Sequence, residues 1–266
     1  MTVVAVDIGG TWTRVAAGGE LLDRFPTEPE YDRELARIGA AAAGAWEAAG
    51  VSFGGRVTPA GAVRVCLNLR GYEGRELARD LAATLGCPVR VAHDATCGLL
   101  GEIAAGALAG YERCGYLTLS TGVGAALRLG PTTLTTEAGH QLIAGNPRRC
   151  ECGQTGCLQT LTGGDALRRH LGRPPESIPD GSFWESYAES LALGLANFAL
   201  TAGLEAIALG GAIALRQESL WPPLRAALAR ILTYQPLTLL PAALGEQAPL
   251  TGAATLPTLP PGAVLH

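Results

Sequence analysis

Two stretches of this chain follow one plan, and any fold has to accommodate both. "TVVAVDIGGTWTRVAAGGELLDRF" reads as a buried strand ending at Asp7, a turn through Gly9, Gly10 and Thr11, and a hairpin reversed at Gly18-Gly19. "GYLTLSTGVGAALRLG", Gly115 to Gly130, repeats that order, with Thr121, Gly122 and Gly124 at its turn. A third strand, in "IALGGAIA", ends at Gly210-Gly211. The repetition predicts a duplicated architecture with a boundary near Gly110, rather than a solenoid of short repeats.

Between these strands the pattern alternates. "YDRELARIGAAAAGAWEAAG" is Ala-rich and predicts a helix stopped by Gly50. The strands "AVRVCL" and "PVRVA" bracket a helix, "GRELARDLAATLG", as in an α/β unit. "LALGLANFALTAG" predicts a buried helix of about a dozen residues before a short core strand. It is not expected to span a membrane, because Asn197, Glu205 and paired glycines interrupt the apolar run. The tail "TLPTLPPGAVLH" is too proline-rich to stay helical.

Composition narrows the chemistry. The 266 residues carry 48% apolar side chains and a formal charge of −4, enough to bury a sizeable core in one large domain or two smaller ones. Arg148-Arg149 and Arg168-Arg169 are the densest basic spots, so no nucleic-acid footprint is expected. There is no lysine, so phosphate recognition must use arginine, backbone N–H groups or a metal. "MTVVAVDIGG" lacks the pattern of a secretory signal, which leads to the expectation of a cytoplasmic protein with reduced thiols.

The glycine turns can aim backbone N–H groups at phosphate, with Asp7 toward its metal, although one such turn alone also reads as an ordinary hairpin. In "VAHDATCGLLGE", Asp94 stands where a strand passes into a helix; it reads as an N-cap or, facing a bound hydroxyl, as a general base. In "EAGHQLIAGNPRRCECGQTGC", His140, Cys150, Cys152 and Cys157 lie among turn-forming glycines, the donor set of a tetrahedral structural zinc. A disulfide is disfavoured by compartment and by the strain of bridging Cys150 to Cys152. Cys66, Cys87, Cys97 and Cys114 read as ordinary buried thiols.

Together "DIGGT", "STGVG", "LGGAIA", "EAGH" and "CECGQTGCLQ" resemble the ROK family of sugar kinases and their repressor relatives, within the actin-like sugar kinase and Hsp70 ATPase (ASKHA) superfamily. The resemblance covers nearly the whole chain. It implies an α/β fold of two actin-like, ribonuclease H-like lobes around a central cleft: residues 1–110 with the first phosphate loop, and 111–266 with the second loop, the zinc motif and the adenosine-side turn. The implied ligands are ATP, Mg²⁺, a structural Zn²⁺ and a hexose or amino sugar, and the implied assembly is a homodimer. Asp94 matches the catalytic base. Asp7, Gly9, Gly10, Thr11, Thr121, Gly122, Gly124, Gly210 and Gly211 match nucleotide-side positions. Gly55, Arg56, Asn68, His93, Glu137, His140 and Gln159 match sugar-side positions, with His140 also a zinc ligand.

Two departures bear on the sugar. His93 stands where the family usually has Asn, and Gln159 where it usually has Glu, which replaces a charge-assisted hydrogen bond by a neutral one. The segment from Gln159 to Leu191 is shorter than usual, and Pro257, Pro260 and Pro261 cut short the expected C-terminal helix. The leading expectation is a glucokinase-like kinase acting on the 6-hydroxyl. A non-catalytic sugar sensor is the alternative, against which stand Asp7, Asp94, the phosphate turns and a first strand too early for a DNA-binding segment. An actin-like ATPase holding iron on the cysteines is a third.

Overall fold

The computed structural model describes residues 1–178 and 181–266, which form two compact units. The first comprises Met1–Gly106, Thr132–Thr135 and Gln247–His266, and the second Ala107–Pro131 and Thr136–Glu246.

In the first unit, β1 (Val3–Ile8), β2 (Trp12–Ala17) and β3 (Glu20–Pro26) make an antiparallel meander. The chain continues through α1 (Tyr31–Ala41), β4 (Ala48–Phe53), β5 (Arg56–Val57), β6 (Val63–Val65), α2 (Leu77–Leu85), β7 (Val89–His93) and α3 (Asp94–Ala105). The sheet order is β3-β2-β1-β4-β7, with β1, β4 and β7 parallel. β1 is covered on both faces, as a central parallel strand should be. Val4, Val6 and Ile8 enter one core with Ile38, Val51, Phe53, Tyr72 and Leu81, while Ala5 enters another with Ala92, Cys97 and Leu250.

In the second unit, β8 (Arg113–Leu119) and β9 (Val123–Leu129) are antiparallel. After β10 (Thr132–Thr136) come α4 (Gln159–Thr162), α5 (Gly164–Leu171), α6 (Gly181–Ala202), β11 (Ala206–Gly210), α7 (Gly211–Arg216), α8 (Trp221–Ile231) and β12 (Thr238–Pro241). The order β9-β8-β11-β12 repeats β2-β1-β4-β7, with β8, β11 and β12 parallel. α9 (Ala248–Thr255) then packs on α3, and β13 (Val264–Leu265) pairs with β10, both within the first unit.

Three sequence expectations are corrected. The Ala-rich helix does not run to Gly50: α1 ends at Ala41, and Ala48–Phe53 is a fully buried strand. Helix propensity loses to packing here, because a Cβ on Gly50 would lie 1.8 Å from the Ala253 carbonyl oxygen, so α9 requires a flat strand surface. "AVRVCL" supplies only β6, which pairs with β5 in a two-stranded ribbon outside the main sheet. The apolar helix of the C-terminal half is 22 residues long, because polar-looking turns before Leu191 carry the buried Trp184 and Tyr187. Among the described residues, no helix is long and apolar enough to cross a membrane.

Candidate active site and metal centre

In the first unit three parallel strands end level. Ile8 pairs with Phe53, and Phe53 with His93, so the turns at Gly9-Gly10, Gly54-Gly55 and Asp94 all leave the carboxyl edge of the sheet. That edge is where open α/β sheets bind ligands. Asn68 joins the first turn: a Cβ on Gly10 would lie 3.1 Å from its Nδ2. Gly54, whose Cβ position would be 4.0 Å from Asp94 Oδ2, leaves the carboxylate room.

Asp7 and Asp94 have different environments. Asp7 is buried at 8% side-chain exposure, with Arg14 donating to Oδ2 from Nη2 at 2.6 Å and from Nε at 3.2 Å, and the Ser52 hydroxyl donating to Oδ1 at 2.6 Å. Burial pushes its carboxyl above the ordinary range, against the opposing pull of Arg14 and Ser52. Asp94 is 37% exposed, open enough to meet a substrate. Burial raises its carboxyl as well, but His93 and the Ala95 N–H outweigh it and hold the group below its ordinary value.

The helix cap settles how His93 does this. His93 is the N-cap of α3, with Nδ1 3.2 Å from Ala95 N and 3.0 Å from Asp94 Oδ1, while Ala95 N also lies 2.6 Å from Asp94 Oδ1. Nδ1 cannot accept from the amide and donate to the carboxylate together. Two facing acceptors at 3.0 Å would repel, and the shorter contact already satisfies Ala95, so Nδ1 carries the proton and donates to Asp94. Asp94 therefore serves the first turn of the helix and accepts a hydrogen bond from the cap residue.

In the second unit the equivalent turn is held by backbone. Ser120 N donates to Gly122 O, while Gly164 N and Asp165 N at the start of α5 donate to Ser120 O and Thr121 O. Gly124 lies inside β9 opposite Thr118, not in the turn. Gly210 closes β11, and Gly211, at φ 84°, starts α7. "EAGH" forms a tight turn over Ala138–His140, with His140 N donating to Glu137 O at 2.8 Å. Gly139 is required there, because a Cβ would lie 2.1 Å from Val123 O.

That turn leads to the cysteines. The ligand atoms of His140, Cys150, Cys152 and Cys157 lie within 4.8 Å of one another. His140 Nδ1 is 3.7 Å from Cys150 Sγ, and Cys152 Sγ is 3.7 Å from Cys157 Sγ. Metal–sulfur bonds near 2.3 Å place tetrahedral ligands about 3.7 Å apart, so the donor set fits zinc in chemistry and in spacing. Burial and the neighbouring thiols push Cys157 up to about 12, the cost of crowding thiols without a cation. His140 Nε2 is directed to Glu137 Oε2 at 4.0 Å.

A family model described as the ROK family matches residues 3–258. The chain belongs to the ROK family. The ROK hexokinase of Thermus thermophilus superposes with a TM-score of 0.83 at 30% identity, over 96% of this chain and 97% of that one. The Streptomyces griseus ROK glucokinase, solved with glucose and AMPPNP, gives 0.82 at 25%, over 96% and 99%. These are ROK sugar kinases of the actin-like ATPase fold, and this chain shares that fold. Among curated relatives, the kanosamine kinase of Amycolatopsis mediterranei is 26% identical over 95% of both chains. The glucokinase of Aeropyrum pernix is 33% identical over 63% of this chain and 58% of its own length. The match to the glucokinase of Thermotoga maritima, 33% identical, covers 42% of this chain and 37% of that protein.

Sequence reasoning missed Arg14 and Ser52. Arg14 was within reach, since the turn through Gly9, Gly10 and Thr11 folds β2 back on β1 and pairs Asp7 with Arg14 directly across them. Ser52 gave no signal, because the first half of its strand read as the end of a helix stopped at Gly50 and nothing local placed it beside Asp7. Of the two departures from the ROK pattern, His93 lies against Asp94, and Gln159 is engaged with the cysteine cluster: its Nε2 donates to Cys150 Sγ at 3.5 Å and its Oε1 accepts from Val123 N at 3.4 Å.

Proposed function

We propose that this ROK protein transfers the γ-phosphoryl group of ATP to a hydroxyl of a hexose or amino sugar, the 6-hydroxyl of the pyranose. The observation that carries the reading is Asp94: a carboxylate at the carboxyl edge of the sheet, partly exposed, fixed by Ala95 N and His93, and held ionised. Such a group takes the hydroxyl proton as the sugar oxygen attacks the γ-phosphorus, and ADP departs with the bridging oxygen.

In this reading the turns Gly9–Thr11 and Thr121–Gly122, with Gly210 and Gly211, serve the nucleotide. Asn68, His93, Gly55, Arg56, Glu137 and His140 serve the sugar. Both Asp7 oxygens already accept from Arg14 and Ser52, so in this reading Asp7 fixes Arg14 beside the first turn. His140, Cys150, Cys152 and Cys157 would hold a structural zinc, which supplies no chemistry beyond rigidity and fixes the loop that bears Glu137 and His140. The cytoplasm and a homodimer complete the proposal.

A coupled ADP assay over glucose, mannose, fructose, allose, glucosamine, N-acetylglucosamine and N-acetylmannosamine tests it. Sugar-dependent turnover falling roughly 100- to 10,000-fold in Asp94→Asn is expected. Wild-type turnover no better than that variant on every sugar would overturn it.

A further inference from the structure

Gln159 touches two parts of the second unit, the cysteine cluster and the strand that follows the second turn. It opens α4 immediately after the cysteine knot. Its amide nitrogen donates to Cys150 Sγ, and its amide oxygen accepts from Val123 N, the first residue of β9 after the Thr121–Gly122 turn. A Cβ on Gly122 would lie 3.2 Å from the same oxygen, so the amide also lies against the turn itself. Val123 is gripped from its other end too, because its carbonyl is the atom against which Gly139 of "EAGH" packs.

Only an amide can do both tasks. A thiolate bound to a metal keeps acceptor capacity and is steadied by an N–H donor, whereas a backbone N–H needs an acceptor. Glutamine offers one of each on a planar group. A glutamate would satisfy Val123 but set a second negative charge against Cys150, and a leucine would satisfy neither.

We propose that Gln159 is a positioning residue that ties the metal-binding knot to the second phosphate turn, by hydrogen bonds to Cys150 Sγ and to Val123 N. This rests on the reading that the knot holds a metal. The charge state of the knot then sets the pull on Val123, and the turn that receives the nucleotide is held by the same side chain that steadies the thiolate.

The test uses the full chain with cobalt(II) substituted for zinc, comparing wild type with Gln159→Glu and Gln159→Leu. The sulfur-to-cobalt charge-transfer band should shift in both variants. Chelator-driven metal release should become about 10-fold easier, the lower end of what loss of such a hydrogen bond costs. KM for ATP should rise severalfold while KM for the sugar changes less. Glu, being isosteric, guards against a packing artefact in Leu. A band and a release rate identical to wild type in both variants would overturn the coupling, and so would a changed sugar KM as the sole effect of Gln159→Glu, which would mark Gln159 as a sugar ligand. Wild-type protein that takes up no cobalt or zinc in stoichiometric amount would remove the metal reading and the coupling with it, an outcome distinct from either.

Discussion

The turn after β1 and the turn after β8 occupy the same place in the same strand order, yet different forces hold them. At the first, a buried ion pair spans the hairpin: Asp7 accepts two bonds from Arg14 across the strands and a third from Ser52 on β4. At the second, no side-chain charge takes part among the described residues. Ser120 and Thr121 carbonyls receive the first N–H groups of α5, and Val123 N is met by the Gln159 amide. A helix N-terminus brings its own unpaired donors, so a turn placed there is fixed without burying a charge. Both turns join two strands, but the one after β1 is met by side chains, with Arg14 and Ser52 on Asp7 and the Thr27 hydroxyl on the Gly9 carbonyl. Equivalent positions in a duplicated fold thus differ in their sensitivity to mutation.

The largest effect should follow from breaking the charged solution. Arg14→Met leaves Asp7 buried with the Ser52 hydroxyl still donating to it but no cation beside it, and removing one partner of a buried pair costs about 3 kcal/mol or more. Denaturant unfolding of the variant should show that loss, with ATP-dependent turnover falling as the turn loosens. A change below about 1 kcal/mol would mean that the pair behaves like a surface salt bridge, and the contrast between the turns would collapse.

A smaller effect is expected from the second unit's own fastening. Cys152 is the exposed member of the candidate metal cluster, so Cys152→Ser removes a proposed ligand without opening a core cavity. KM for the sugar should rise roughly 5-fold, about 1 kcal/mol, alongside a lower melting temperature, because the knot positions Glu137 and His140. Steady-state kinetics at saturating ATP reads the first and calorimetry the second. A lowered melting temperature with unchanged sugar KM would separate the knot from the sugar site and leave it purely structural.

The sequence carries these two solutions unequally. Strand-end glycines, the cysteine spacing and Asp94 were legible because each is a local pattern: a turn needs glycine, a tetrahedral metal needs soft donors close in sequence, and a carboxylate stands where strand becomes helix. Ser52 and Gln159 were not, because their roles depend on register and on neighbours far along the chain. The strand that carries Ser52 opens Ala48-Ala49-Gly50, residues that suit a helix end or a turn in isolation, and it is a strand because β1 and β7 pair with it on both sides, while α9 leaves no room for a side chain at Gly50. The distance in sequence from Val123 to Gln159 hides their hydrogen bond in the same way. Arg14 lies between these cases, since the hairpin register that pairs it with Asp7 follows from the short turn at Gly9–Thr11.

The subtlest expectation asks whether charge in the first unit extends from its turn to its base. His93 holds Asp94 below the ordinary carboxylate range against the opposing push of burial. A carboxyl whose folded value is depressed stays ionised, and contributes its stability, above its unfolded value; both are lost as pH falls through the folded value. The acid limb of kcat/KM should therefore lie below the range of an ordinary aspartate. His93→Asn restores the residue usual in the family and keeps a side chain able to cap α3, but it removes the ring that donates to Oδ1. Burial then acts with less opposition, so the acid limb should move to higher pH while turnover near neutrality changes little. A pH profile of kcat/KM on the preferred sugar measures it. A limb that stays in place would show that Ala95 N alone holds the carboxylate, which would make the base, like the second turn, a product of backbone rather than of charge.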